Sequence, residues 1–298
     1  MSKGVYVSAF LFDQNKFNGE FKMAVNTLTE IYAQDQTDRA LIDESIRKSA
    51  VWTSGLVTID PKLSEMVAAG EGRKINRVGW QDLSEADAGA RRAKNKGIPV
   101  VDHARDTTSH RAFDLLRTRL RQTTLENKWT NIAVTAPTTG CGTTFTAVNL
   151  ALSLSRVADS RTVLMDFNLR NPGVMDAFDM PAPGLMQHYL SGEVAMEDHL
   201  LRISDTLALG LNAAPDENAA ETLQNAATAL TLERMRAALR PELVIYDMPA
   251  MLAHDDLSGF LPQLDGVLLV SDGTKTMARQ LKECERILNG QVPLLGVV

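Results

Sequence analysis

The spacing of apolar residues divides the chain in two. From His110 onward Phe113, Leu116 and Leu120 recur at helical spacing, with Arg117, Arg119 and Arg121 between them. Short apolar runs then appear at 132–136, 163–167, 207–211, 243–246, 267–270 and 294–298. Helical patterns separate most of them, notably 144–156, 219–239 and 276–288. Uninterrupted apolar runs alternating with helices predict an α/β fold: a three-layer, doubly wound, mostly parallel sheet covered on both faces. The region 1–105 reads differently. Phe21, Ala24, Leu28 and Ile31 suggest one amphipathic helix, and Leu41, Ile42 and Ile46 another, with Thr37 and Asp38 as N-caps. Beyond Ser54 the pattern breaks into short apolar pieces and a polar, alanine-rich stretch at 84–96. We therefore expect an irregular helical N-terminal region over 1–105 and the α/β domain over 106–298.

Composition narrows the functional classes. A hydrophobic content of 44% and a charged content of 23% are ordinary for a globular chain. The net charge of −6 argues against a nucleic-acid partner, which would call for a basic face. The apolar run at 5–12 is cut by Asp13 and lacks a small-residue cleavage site, so no signal peptide is expected. The uncharged stretch 129–155 is too rich in Thr, Asn, Ser, Gly and Pro for a membrane span. The two cysteines, Cys141 and Cys284, predict reduced thiols in a cytosol.

The chemistry gathers at the ends of the expected strands, where open α/β sheets bind their ligands. After the run 132–136 comes Pro137-Thr-Thr139-Gly140-Cys141-Gly142-Thr143-Thr144-Phe145, which leads into a helix. Strand, glycine turn and helix make a phosphate-binding loop, with backbone N–H groups and the helix N-terminus facing an anion. Thr139, Gly140, Cys141, Gly142, Thr143, Thr144 and Phe145 are its candidate cofactor-binding residues. Two further runs end in carboxylates, Asp166 and Asp247. With the Thr144 hydroxyl they form a candidate Mg²⁺ site.

The order of these motifs resembles the bacterial tyrosine kinases of capsule and exopolysaccharide synthesis, within the MinD/ParA-like branch of P-loop NTPases. Asp166-Phe-Asn168-Leu-Arg170, followed by Asn171-Pro172, is similar to the family's Asp-x-Asp-x-Arg motif, and Asp247-Met-Pro249 to its Asp-x-Pro motif. Ala112-Phe-Asp-Leu-Leu-Arg-Thr118 looks like its pre-loop helix. Further likeness runs through Gly184-Leu185, Tyr189-Leu-Ser-Gly192, Leu209-Gly210, Glu221-Thr-Leu223, the segment 260–270 and the segment 284–298. The resemblance implies an ATP- and Mg²⁺-dependent protein-tyrosine kinase. Asp166 would be base or metal ligand, Arg170 a second catalytic residue, and Thr144, Asp166 and Asp247 the metal set. It also implies a cytoplasmic protein recruited to the inner face of the membrane by a polysaccharide chain-length regulator on a separate chain, with homo-oligomerisation. The family's tyrosine cluster and adenine-contacting asparagine would lie beyond Val298.

The departures are chemical. Thr143 stands where the loop lysine belongs, and Thr138 where MinD-type relatives carry a second one. Asn168 replaces the second acid of the aspartate motif. The family's Glu-x-x-Arg-x-x-Arg oligomerisation pattern becomes Arg111-x-x-Asp114-x-x-Arg117. Loss of a preorganised donor to developing charge typically costs about 3–4 kcal/mol, ~10²–10³ in rate. A hydroxyl donates one hydrogen bond and no charge. The alternative function is a non-catalytic nucleotide-binding scaffold that regulates the membrane partner. Three smaller signals have plain readings beside sharper ones: Cys141 as loop filler or redox thiol, His254-Asp255-Asp256 as polar turn or metal ligands, and Lys275 as surface residue or substitute phosphate-binding lysine.

Overall fold

The structure, a computed structural model, describes residues 78–86 and 107–298. The helices expected around 21–31 and 41–46 lie outside these residues. The strands are β1 (Ser84–Glu85), β2 (Asn131–Thr135), β3 (Thr162–Asp166), β4 (Leu200–Arg202), β5 (Leu207–Gly210), β6 (Leu243–Asp247), β7 (Gly266–Leu269) and β8 (Leu294–Val297). The α-helices are α1 (Thr108–Asn127), α2 (Thr143–Leu154), α3 (Val174–Phe178), α4 (Met186–Leu190), α5 (Met196–His199), α6 (Ala219–Gln224), α7 (Ala226–Leu239), α8 (Asp256–Phe260) and α9 (Ala278–Leu288).

The strands form one sheet in the order β1-β4-β5-β3-β6-β2-β7-β8. Every neighbouring pair is parallel except β4 with β5. The central strands are buried on both faces because their side chains alternate between two apolar layers. Ala133, Val163, Met165, Val244 and Tyr246 meet Leu232, Met235 and Leu239 of α7 and Cys284 and Leu288 of α9. Ile132, Val134, Leu164, Leu243 and Ile245 meet Val148, Leu150, Ala151 and Leu154 of α2. This is the three-layer, mostly parallel architecture that the alternation of runs predicts. Among the described residues, no helix is long and apolar enough to cross a membrane.

Three details depart from the sequence pattern. The helix expected over 219–239 is two helices, parted at Asn225, whose backbone is extended (φ −65°, ψ 139°) and whose side chain caps the Ala227 amide. An Asn that can bond the backbone favours a cap over a helix interior. Strand β4 escapes the pattern because it is three residues long. The third concerns the expected boundary at 106. Residues 84 and 85 pair with β4 at the sheet edge, and Trp80 and Leu83 are buried in the apolar layer. This short piece of the region 1–105 therefore belongs with the sheet.

The pre-loop helix α1 is tied to the end of α2. Asp114 accepts hydrogen bonds from Arg117 (3.0 Å), Ser153 (3.0 Å) and Arg156, and Arg121 forks onto Glu242. Two residues of the altered oligomerisation pattern, Asp114 and Arg117, thus make contacts inside the chain.

Trp80 anchors the early segment. It is 2% exposed, donates its indole N–H to the Ser204 carbonyl at 3.3 Å, and lies 5.3 Å beneath the Arg161 guanidinium. Truncating a buried aromatic typically costs about 3–5 kcal/mol. Trp80→Ala is expected to lower the unfolding free energy by roughly 3 kcal/mol in urea titrations followed by circular dichroism. A loss below about 1 kcal/mol, the size of an ordinary surface change, would show that the segment adds little to the fold.

Candidate functional site

The glycine loop joins β2 to α2. Gly140 (φ +78°) and Gly142 (φ +92°) both occupy the left-handed region. A Cβ at either would meet no atom within 4 Å, so it is the backbone angle rather than space that requires glycine. Among the described residues, no acceptor meets the amides of 139–144. Donors without an acceptor at the start of a twelve-residue helix make this a candidate anion site. Thr139 and Gly140 are exposed, and 141–145 are partly so. The ring of Phe145 is turned away, packing edge-on against Phe113 with centroids 5.9 Å apart. Only its backbone is left to serve the loop.

The two acids meet because β3 and β6 are neighbours in register. Asp166 pairs with Asp247, and Asp247 lies beside Val134 of β2. All three strands therefore end at one edge, next to the loop. The Thr144 hydroxyl donates to Asp247 Oδ2 at 2.6 Å, joining helix to strand. Asp166 Oδ2 accepts from the amides of Gly173 and Val174, both at 3.0 Å. Gly173 lies against Thr144: a Cβ there would be 3.4 Å from Thr144 Cγ2, an ordinary contact. Behind the acids, Phe167 packs on Tyr246 and Phe260 with centroids 4.9 and 5.1 Å apart, fixing the end of β3. Thr135 donates its hydroxyl to the Pro249 carbonyl at 2.6 Å, binding β2 to the Asp-x-Pro turn.

Both carboxylates are completely buried, and in each the second oxygen, Oδ1, has no hydrogen-bond partner among the described residues. Burial raises the pKa of Asp166 to about 7, against the amides of Val174, Gly173 and Asn168 that lower it, with Asp176 raising it further. Burial raises Asp247 well above the usual carboxylate range, Asp166 adds repulsion, and the Thr144 bond opposes both. Paired buried acids with unsatisfied oxygens are costly without a cation. The donor set is all oxygen, carboxylates and a hydroxyl, as Mg²⁺ prefers. Thr144, Asp166 and Asp247 thus fit the metal they were expected to hold.

Arg170 is drawn elsewhere. Its Nε and Nη2 reach the oxygens of Asp256 at 2.9 Å, and Nη1 reaches the Glu217 carbonyl at 3.3 Å. Asp256, almost fully buried, holds the arginine to α8. In this structure Arg170, expected as a catalytic residue, braces the loop after Asp166 through Asp256. Asp255 occupies the N-cap position of α8 without a side-chain capping bond, and His254-Asp255-Asp256 is a polar turn leading into that helix. Among the described residues no cluster of three or more His, Cys, Asp or Glu side chains stands ready for a metal.

Cys141 Sγ lies 3.5 Å from the Thr138 hydroxyl and 3.7 Å from that of Thr276. Burial pushes the thiol up, but the hydroxyls of Thr138 and Thr276 and the amides of Asp272 and Thr138 outweigh it, leaving its pKa below the ordinary value. The sequence reading passed over Gly173, and it named Lys275 without placing its turn against the loop. Gly173 follows Pro172 and reads there as a simple turn. The turn 272–276 reaches the loop only through the pairing of β7 with β2.

No protein-family model matches the chain, and no curated protein matches it. Solved structures do. The kinase domain of the Escherichia coli tyrosine kinase ETK is 20% identical, with a TM-score of 0.61, covering 77% of this chain and 90% of that one. The BceF tyrosine kinase domain is 24% identical, with a TM-score of 0.59, covering 72% and 90%. The VpsO kinase domain is 22% identical, with a TM-score of 0.55, covering 64% and 96%. At these identities the likeness establishes a shared fold, that of tyrosine kinase domains.

The upward shifts of both acids give their effect on stability a definite sign. A carboxyl with a raised folded pKa contributes stability below its unfolded value and loses it as pH rises through the folded one. For Asp166 that window runs from 3.8 to about 7. Asp247→Asn keeps an acceptor for Thr144 and removes one charge. It is expected to raise the melting temperature at pH 8 in Mg²⁺-free buffer, with a gain that shrinks toward pH 5. A lower melting temperature at pH 8 would sink this account of the pair.

Proposed function

We propose that this chain is a P-loop protein of the bacterial tyrosine kinase type that binds ATP with Mg²⁺ and transfers phosphoryl groups slowly. One observation carries the proposal: among the described residues, two buried carboxylate oxygens, on Asp166 and Asp247, have no partner, beside a loop whose amides at 139–144 have no acceptor. Adjacent groups suited to a cation and to an anion match a metal–polyphosphate ligand.

In this reading residues 139–144 cradle the phosphates through backbone N–H groups, assisted by the N-terminus of α2. Thr144, Asp166 and Asp247 hold Mg²⁺, which when bound neutralises charge on the phosphate oxygens. Asp166 is assigned to the cation rather than to proton abstraction, since it is fully buried with Oδ2 already bonded to two amides. Arg170 positions the loop after Asp166 through Asp256. Thr143 offers a hydrogen bond without charge, which sets transfer about 10²–10³ below that of a lysine-bearing loop.

The shared fold supports a place among protein-tyrosine kinase-like proteins of exopolysaccharide synthesis. There the chain would work on the cytoplasmic face of the membrane with a chain-length regulator on a separate polypeptide. Residues 106–298, together with 78–86, would form the nucleotide-binding unit. A second reading, a non-catalytic nucleotide-binding scaffold for that partner, is favoured by the loss of charge at Thr143 and Asn168.

Isothermal titration of the full chain with ATP and Mg²⁺ is expected to show binding that Asp166→Asn and Asp247→Asn weaken. Labelling of a tyrosine-bearing partner with [γ-³²P]ATP is expected to be slow and to rise about 10²–10³-fold in Thr143→Lys. Binding with no transfer even in Thr143→Lys would select the scaffold. Absence of ATP·Mg²⁺ binding in both the native chain and Thr143→Lys would overturn the proposal.

A further inference from the structure

The turn between β7 and α9 sits on the glycine loop. Thr276 Oγ1 lies 3.7 Å from Cys141 Sγ, and the Asp272 amide faces the same sulfur. Cys141 lies between the two left-handed glycines, so the turn touches the middle of the loop. The turn is held from within. The amides of Lys275 and Thr276 donate to the Asp272 carbonyl at 3.0 and 2.8 Å, and the Asp272 amide donates to Thr276 Oγ1 at 3.0 Å. Asp272 also accepts from the amide and hydroxyl of Thr274, at 2.8 and 2.6 Å. Lys275 therefore projects from a fixed backbone one residue away from the contact with Cys141.

Its ammonium lies 3.2 Å from Asp272 Oδ2, and its side chain is 66% exposed. The glycine loop has no lysine or arginine between 136 and 145. Arg170 has its nitrogens on Asp256 and the Glu217 carbonyl. Meanwhile Asp247 is bonded to Thr144 at the end of the glycine loop, and among the described residues the Oδ1 oxygens of Asp166 and Asp247 have no partner, which suits a cation-bearing ligand beside that loop. We propose that Lys275 supplies, from the β7–α9 turn, the phosphate-binding ammonium that the glycine loop lacks; this rests on the ATP·Mg²⁺ reading of the site.

The chemistry suits lysine. An ammonium is a compact charge on a flexible four-carbon stem, so it needs reach more than a fixed orientation. An exposed ion pair is weakly held, and a polyphosphate of higher charge can take the ammonium from Asp272. Asp272 stays in place when Lys275 leaves, because its bonds from Thr274 persist. The ligand class recognised is the polyphosphate rather than the base.

The test is titration of the full-length protein with ATP·Mg²⁺, comparing the native chain with Lys275→Met, Asp272→Asn and Thr143→Lys combined with Lys275→Met. Loss of one charge-assisted hydrogen bond predicts affinity roughly tenfold to a hundredfold weaker in Lys275→Met. Asp272→Asn frees the ammonium and is expected to bind as tightly as the native chain or more so. The double variant, with a loop lysine restored, is expected to recover the loss. If Lys275→Met and Asp272→Asn weaken binding alike, the ion pair merely latches the turn and the inference falls. Native-like affinity in Lys275→Met also overturns it while leaving the ATP·Mg²⁺ reading intact. Failure of the native chain to bind overturns both.

Discussion

Two parallel strands, β3 and β6, end in carboxylates that their own hydrogen-bond register sets side by side. Both side chains are sealed from solvent, and among the described residues each keeps one oxygen without a partner. Charges that close, in so dry a place, repel each other and lose hydration. The surrounding structure offsets only half of this. Thr144 serves one acid and the amides of Gly173 and Val174 the other. Because those donors lie on the glycine-loop helix and at the start of α3, the acid pair determines how both elements meet the sheet. What the protein leaves unsatisfied, a bound cation can complete.

Charge in the site has been removed from both sides. Relative to the pattern it resembles, the loop lacks the positive charge of a lysine at Thr143, and the aspartate motif lacks a negative one at Asn168. Two carboxylates, Asp166 and Asp247, remain beside a loop that carries no positive side chain, so a cation and the backbone dipoles are left to offset them. Binding depends on the total field and on backbone dipoles, whereas catalysis depends on a charge placed where the transition state develops it. The same substitutions can thus spare the first and slow the second.

Several charged residues that look functional in isolation are used by the fold. The Arg170 fork spans from the loop after Asp166 to Asp256, and Asp114 gathers Arg117, Ser153 and Arg156 across the packing of α1 on α2. A guanidinium satisfied by a buried carboxylate gives rigidity to the neighbouring strand end.

The apolar runs and their alternation with helices determined the three-layer, mostly parallel sheet, because a strand buried on both faces has no polar face to show. Gly140, Gly142, Asp166 and Asp247 were legible as a site since glycine turns and strand-end acids sit at one edge of any such sheet. Only the tertiary structure decided the rest. Strand order made Asp166 and Asp247 neighbours, turned the Phe145 ring toward Phe113, committed Arg170 to Asp256 and carried the 272–276 turn onto Cys141. These contacts join residues far apart in the chain, and local spacing carries no information about which distant side chain will face which.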